Sequence, residues 1–221
     1  DPGALEIVRR LRARGHRALL AGGCVRDWLM HHHATDWDIA TDAEPSQVAQ
    51  YFDRTTAFGK QFGVMLVVLD QGRYEVARFR RDGSYTDGRH PDSVEFGQAR
   101  EDALRRDFTI NGMFYDPLAD ELHDWIGGQA DLESRRIRTI GDPALRFGED
   151  RLRLLRAVRF AAQLGFDIEP GTFVAVREHA AAIREVSAER IRDELIKLFR
   201  PPHAARALDK LTLQLPCYTS Y

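Results

Sequence analysis

Cysteine is nearly missing from this chain: Cys24 and Cys217 are the pair among 221 residues. Two thiols cannot build a disulfide framework, so nothing points to an oxidising compartment, and the expected location is the cytoplasm. No apolar run approaches the roughly 20 residues that cross a bilayer, and no membrane partner is expected. An excess of either charge is missing too. With 32 Lys and Arg against 34 Asp and Glu the formal net charge is −2, so a nucleic-acid partner must be held by a local patch. Lysine is confined to Lys60, Lys197 and Lys210, and arginine supplies the remaining positive charge. Its rigid fork suits phosphates and base edges, although genomic base composition produces the same skew. There is no internal repeat and no low-complexity segment. The first residue is Asp1, not methionine, so upstream residues are expected.

What is present describes an ordinary globular chain of one or two domains, 43% apolar and 30% charged. The stretch Ala18 to Asp42, ALLAGGCVRDWLMHHHATDWDIATD, carries the densest signal. Ala18 to Ala21 reads as a buried strand, Gly22 and Gly23 as a turn, and Val25 to Met30 as a helix. Without a Cβ, the glycines let backbone amides approach an anion at a helix start. A second strand is expected from Thr35 to Thr41. On it Asp36 and Asp38, at i and i+2, would share one face. Two like charges side by side call for a cation, and oxygen-only ligation suits Mg²⁺. His31, His32 and His33 cannot all face one ion, so this run reads as a connection and not as a metal tract.

Residues 3–14 form an amphipathic pattern with Ala4, Leu5, Val8 and Leu11 on one side, taken as the first helix of the fold. A helix start follows at Glu44-Pro45-Ser46. Phe62 to Leu69 and Arg73 to Arg80 read as hairpin strands around Asp70-Gln71-Gly72. The second carries Glu75, which either completes the metal site or makes a sheet salt bridge. Arg81 to Gly97 is polar and turn-rich, a mobile loop. Glu101 to Asp107 is helical and ends in Arg105-Arg106-Asp107; with Asn111, these suit a triphosphate and a ribose hydroxyl. After Asp142 the strand-type runs stop, and helices are expected over 149–164, 172–183, 188–199 and 203–213. The domain junction is placed there, as 1–141 and 142–221, and the last stretch reads as a truncated domain.

LLAGGCVRD, DWDIATDA, YEVARFR, YTDGRHPDSVEF, RRDFTIN, GDPALRFGEDRLRLLRAVRFA and SAERIRDELIKL occur in that order over residues 18 to about 199. Together they resemble the class II tRNA nucleotidyltransferases, the CCA-adding enzymes, and the related bacterial poly(A) polymerases. The resemblance implies an α+β fold: a polymerase-β-like nucleotidyltransferase head with a mixed sheet, followed by an all-α neck. It implies that Asp36 and Asp38 are catalytic metal ligands for two Mg²⁺ ions. Gly22, Gly23 and Arg26 match the triphosphate-side turn, and Arg106, Asp107 and Asn111 the ribose and phosphate motif. Asp150 and Arg153 match the pair that reads the incoming base, and Arg156 and Arg159 join the nucleotide-side set. Asp87, Arg89 and His90 match a flexible loop that repositions between C and A addition. The implied partners are the tRNA 3′ end and the substrates CTP and ATP; the oligomeric state is open.

Positions 150 and 153 are i and i+3, which on a helix share a face. A carboxylate accepts and a guanidinium donates. Cytosine and adenine each present an amine donor beside a ring-nitrogen acceptor, complementary to Asp150 and Arg153. Uracil and guanine present the reverse, and the mismatch leaves polar groups unpaired. The expected chemistry is attack of a primer 3′-hydroxyl on the α-phosphate of CTP or ATP, with pyrophosphate leaving and Arg26 and Arg106 neutralising charge. Poly(A) synthesis, CC-only or A-only addition, and a non-catalytic RNA- or nucleotide-binding module are the rival readings. Against poly(A) synthesis, Phe58 to Gly63 leads straight into a strand. Against a pure binder, paired carboxylates beside a phosphate serve no purpose.

Overall fold

A computed structural model of the chain describes residues 1–57, 63–83 and 93–214. The chain divides into two compact units, one drawn from residues 1–83, 93–106 and 110–128, the other from 107–109 and everything described from Gln129 on.

The first unit begins with α1 (Pro2–Arg12), capped by the Asp1 carboxylate accepting from the Ala4 amide. Gly3, Ala4, Ile7, Val8 and Leu11 make its buried stripe, while Leu5 is only half-buried. β1 (Ala18–Ala21) is buried at all four positions, as an apolar run with elements on both faces requires. α2 (Gly23–Leu29) follows directly, then β2 (Asp38–Thr41) and α3 (Pro45–Tyr51), the last with a capping box between Glu44 and Gln47. β3 (Thr55–Ala57), β4 (Val64–Leu69) and β5 (Gly72–Arg78) come next, β4 and β5 joined by the expected hairpin turn. The pair β6 (Arg80–Asp82) and β7 (Val94–Phe96) precedes α4 (Ala99–Arg105), β8 (Phe114–Asp116) and β9 (Glu121–His123).

Seven of these strands form one mixed sheet in the order β3-β4-β5-β2-β1-β8-β9. β2 runs parallel to β5, and the remaining neighbours are antiparallel. Leu19, Ala21, Ala40, Phe79, Ala99, Ala103 and Phe114 pack as its core. The second strand starts at Asp38 and not at Thr35. Its ladder with β1 ends at Ala21 opposite Asp38, because β1 stops at the Gly22 turn. Asp36 therefore lies ahead of the strand and is exposed, so strand alternation does not set it beside Asp38.

The second unit contains the remainder of α5 (Gly128–Glu133), then β10 (Arg136–Ile137), α6 (Pro143–Glu149), α7 (Arg153–Leu164), β11 (Asp167–Ile168), α8 (Pro170–His179), α9 (Ala188–Leu198) and α10 (Ala204–Gln214). α7 is its centre, burying Leu154, Leu155, Ala157, Val158, Phe160, Ala161 and Ala162 and ending at Gly165 with φ 69°. Two expectations are corrected here. This region is not all-α, since β10 and β11 pair in parallel, and that pairing draws residues 129–141 into the unit ahead of the composition change. Nor does one helix cover 149–164. Asp150 is extended, at φ −144° and ψ 105°, and its carboxylate accepts from the Leu152 amide at 3.1 Å, so it ends α6 and opens α7. Residues 172–183 likewise divide into α8 and a 3-10 turn over 180–185.

Candidate active site

In the first unit the site is built around Gly22, where β1 ends. Its φ of +79° is a conformation that side chains disfavour, and its carbonyl receives the Arg26 amide at 3.3 Å as α2 starts. A Cβ at this position would stand 2.7 Å from Nη1 of Arg106 and 3.8 Å from both the Asn111 carbonyl oxygen and Oδ2 of Asp38. One glycine thus brings a guanidinium, a carboxylate and a backbone acceptor to the same turn. Gly23 is different: a Cβ there would make ordinary contact, 3.7 Å from Nη2 of Arg26, and its backbone needs no glycine.

Arg26, on the first turns of α2, is buried and donates from Nη1 to Oδ1 of Asn111 at 2.6 Å and from Nε to Oδ1 of Asp27 at 2.8 Å. Arg106 follows α4 and donates to Asp102, with the Phe114 ring 4.9 Å beneath its guanidinium. Asp38 opens β2 directly opposite Glu75 on β5. Burial first, then Glu75, and more weakly Asp36, push the Asp38 carboxyl up to about 6, with Arg106 pulling the other way. Glu75 and Asp36 are themselves exposed. Cys24 sits alongside, buried and raised by that burial, its thiol donating to the Ala21 carbonyl at 3.3 Å.

Among the described residues no three His, Cys, Asp or Glu side chains form a ready-made metal cage, and His31, His32 and His33 are exposed beyond α2. Mg²⁺ typically takes one or two carboxylates and completes its shell with water and substrate phosphates. Asp38, held protonation-prone first by burial and then by the Glu75 charge, is the kind of hard oxygen donor that a cation would restore to its ionised form.

In the second unit Asp107 accepts from Nε and Nη2 of Arg156 at 2.8 and 2.5 Å and from the Phe108 amide at 2.8 Å. Asp150 and Arg153 do not bond to one another through their side chains. Both oxygens of Asp150 receive Nη2 of Arg190, at 3.1 and 3.0 Å, while Nη1 of Arg153 donates to Glu149 at 2.6 Å and to the Arg146 carbonyl at 2.9 Å. Arg159 is buried, paired with Glu194 and Gln163, and stacked 4.1 Å over Phe160. Asp87, Arg89 and His90, and the Phe58 to Phe62 stretch, lie outside the described residues.

Asp102, Asp27, Glu149 and Arg190 escaped the sequence reading. Asp102 had a signal: it precedes Arg105 by three residues and Arg106 by four, the spacings at which helical side chains meet. Arg190 had none, since its partner lies 40 positions away.

The Poly A polymerase head domain family matches residues 18–138, and a second family, described as a probable RNA and SrmB-binding site of polymerase A, matches 165–212. The CCA-adding enzyme of Bacillus pumilus is 42% identical over 209 residues, which are 94% of this chain and 52% of that protein. That of Bacillus subtilis is 43% identical over 210 residues, with the same shares. The crystal structure of the Bacillus stearothermophilus CCA-adding enzyme in complex with CTP superposes with a TM-score of 0.87 at 39% identity, covering 96% of this chain and 51% of that one. A tRNA nucleotidyltransferase complexed with a primer tRNA and an incoming ATP analogue superposes at 0.80 with 26% identity, over 94% and 60%. The chain spans about half the length of the curated relatives it matches.

Proposed function

The chain belongs to the poly(A) polymerase head-domain family and is similar over most of its length to CCA-adding enzymes, and on that premise we propose that it adds C and A nucleotides to the 3′ end of tRNA. CTP and ATP are the donors and pyrophosphate is released. The observation that carries the reading is the Gly22 turn, where a guanidinium suited to phosphate and a carboxylate suited to a cation meet within reach of one Cβ position. The relatives solved with CTP, and with primer tRNA and an ATP analogue, support these substrates.

Asp38 and Asp36 would hold Mg²⁺ together with the substrate's phosphates, and Glu75 adds negative charge at the same place. Bound there, Mg²⁺ would supply Lewis-acid stabilisation of the charge that develops in the transfer. Arg26 and Arg106 neutralise the triphosphate, and Asn111 and Asp27 keep Arg26 in place. Asp107, gripped by Arg156, serves the ribose side. In the helical neck, Asp150 accepts from the exocyclic amine of cytosine or adenine and Arg153 donates to the ring nitrogen beside it. Uracil and guanine set a carbonyl against the Asp150 carboxylate and an N–H against the Arg153 guanidinium, and are rejected. Arg159, tied to Glu194, supports this helix more than it meets the nucleotide. As a tRNA-processing enzyme the protein belongs in the cytoplasm.

Asp38→Asn tests the reading. The variant should remain folded and release no pyrophosphate from CTP in the presence of tRNA and Mg²⁺. Near-normal turnover would overturn the assignment.

A further inference from the structure

Asp102 lies on the buried side of α4, 1% exposed, and no step of the proposed transfer uses it. A carboxylate in that position is costly unless fully paired. Its two oxygens divide their partners. Oδ2 accepts Nε and Nη2 of Arg106 at 3.2 and 3.1 Å, and Oδ1 accepts Nε and Nη2 of Arg105 at 2.8 and 2.5 Å together with the Arg80 amide at 3.3 Å. Burial alone would raise the Asp102 carboxyl, but the Arg106 and Arg105 guanidiniums outweigh it and hold the group below the usual range.

The division also fixes how Arg106 is presented. Asp102 takes the Nε and Nη2 edge, and the Phe114 ring supports the guanidinium from its face. Nη1 is the nitrogen that then stands at the Gly22 turn, 3.4 Å from the Asn111 carbonyl oxygen. Through Oδ1 the same carboxylate reaches the Arg80 amide at the head of β6, and Arg105 lies 4.0 Å from Asp82 at that strand's end. We propose that Asp102 is the positioning residue for Arg106: it sets which edge of the guanidinium meets the substrate triphosphate and references that edge to β6. The proposal rests on the nucleotidyltransferase reading above.

CTP binding, measured by calorimetry with Mg²⁺ on the whole chain, tests it with Asp102→Asn, Arg106→Ala and the double variant. Asp102→Asn should keep its melting temperature within a few degrees and bind CTP about tenfold more weakly. The double variant should bind no more weakly than Arg106→Ala, because Asp102 acts through Arg106. Unchanged affinity in folded Asp102→Asn, or losses that multiply in the double variant, would overturn the proposal. Should Asp102→Asn not fold, Asp102→Glu keeps the charge while moving the oxygens by about one methylene; it should lose affinity severalfold, and wild-type affinity would count against the role. Wild-type protein that binds CTP yet transfers nothing contradicts the catalytic reading alone. Wild-type protein that binds no CTP contradicts both.

Discussion

Asp38 and Glu75 stand opposite each other across the parallel pair β2 and β5, and burial followed by Glu75 lifts the Asp38 carboxyl from its ordinary 3.8 to about 6. The parallel pairing places these side chains on one sheet although 37 positions separate them in sequence. A cation between like charges turns that repulsion into binding.

The sign of the pH dependence follows. Between 3.8 and about 6 the folded chain keeps a proton that the unfolded chain has released. The group's cost to folding is therefore absent below the lower value, grows between the two, and is complete above the upper one. Without metal, the protein should lose stability on this account as pH rises, by no more than about 3 kcal/mol. Mg²⁺ should flatten the slope, and Asp38→Asn should remove it. Urea denaturation at about pH 4.5 and about pH 7.5, with and without Mg²⁺, checks this. An Asp38→Asn slope equal to the wild-type one would contradict it.

Gly22→Ala should damage the site where Gly23→Ala does not. At Gly22 the new methyl group meets Arg106 at 2.7 Å in a backbone with φ +79°. The strain costs roughly 1–2 kcal/mol, and displacement of the guanidinium should lower kcat/KM about a hundredfold. At Gly23 the nearest atom, Nη2 of Arg26, is 3.7 Å away. Equal losses in the two variants would show that the turn is not what aims Arg106.

Asp150→Ala should keep transfer and lose discrimination against UTP and GTP. Arg190→Ala should share that phenotype in milder form, because Arg190 holds both oxygens of Asp150. A fall of about tenfold in selectivity corresponds to about 1.4 kcal/mol of lost orientation. Competition assays with mixed nucleotides measure it. Unaltered selectivity in Asp150→Ala would refute base reading by this carboxylate.

Glu194→Ala should destabilise the helical unit by about 3 kcal/mol, since it leaves the buried Arg159 guanidinium without its carboxylate. Thermal or denaturant unfolding reads this directly. A change below about 1 kcal/mol would place Arg159 among exposed, weakly coupled pairs.

Much of the head could be read from local pattern. ALLA was a buried strand, Asp70-Gln71 a hairpin turn, and Gly22 a turn at a helix start, because each depends on neighbours within a few residues; that Arg106 and Asn111 meet at this turn was not local, since they lie more than 80 positions on. Asp36 misled: its alternation with Asp38 is real in sequence, but the strand begins only where β1 offers a ladder partner. The α6–α7 break was hidden because apolar spacing continues through it, while the interruption comes from one carboxylate bonding to an amide two residues on. The i, i+3 argument for Asp150 and Arg153 thus fails as helix geometry, and their placement depends instead on Arg190 and Glu149. Asp102 shows the opposite limit. Its spacing to both arginines was visible, but nothing local revealed that it is buried.

The most direct test of CCA addition is product length at single-nucleotide resolution on tRNA ending before the first C, after CC, and after CCA, with CTP, ATP or both. The expected result is two additions from CTP, then one from ATP, then a stop, all dependent on Mg²⁺ and lost in Asp38→Asn. Repeated A addition without a stop, or nucleotide binding with no extension of any substrate, would contradict it.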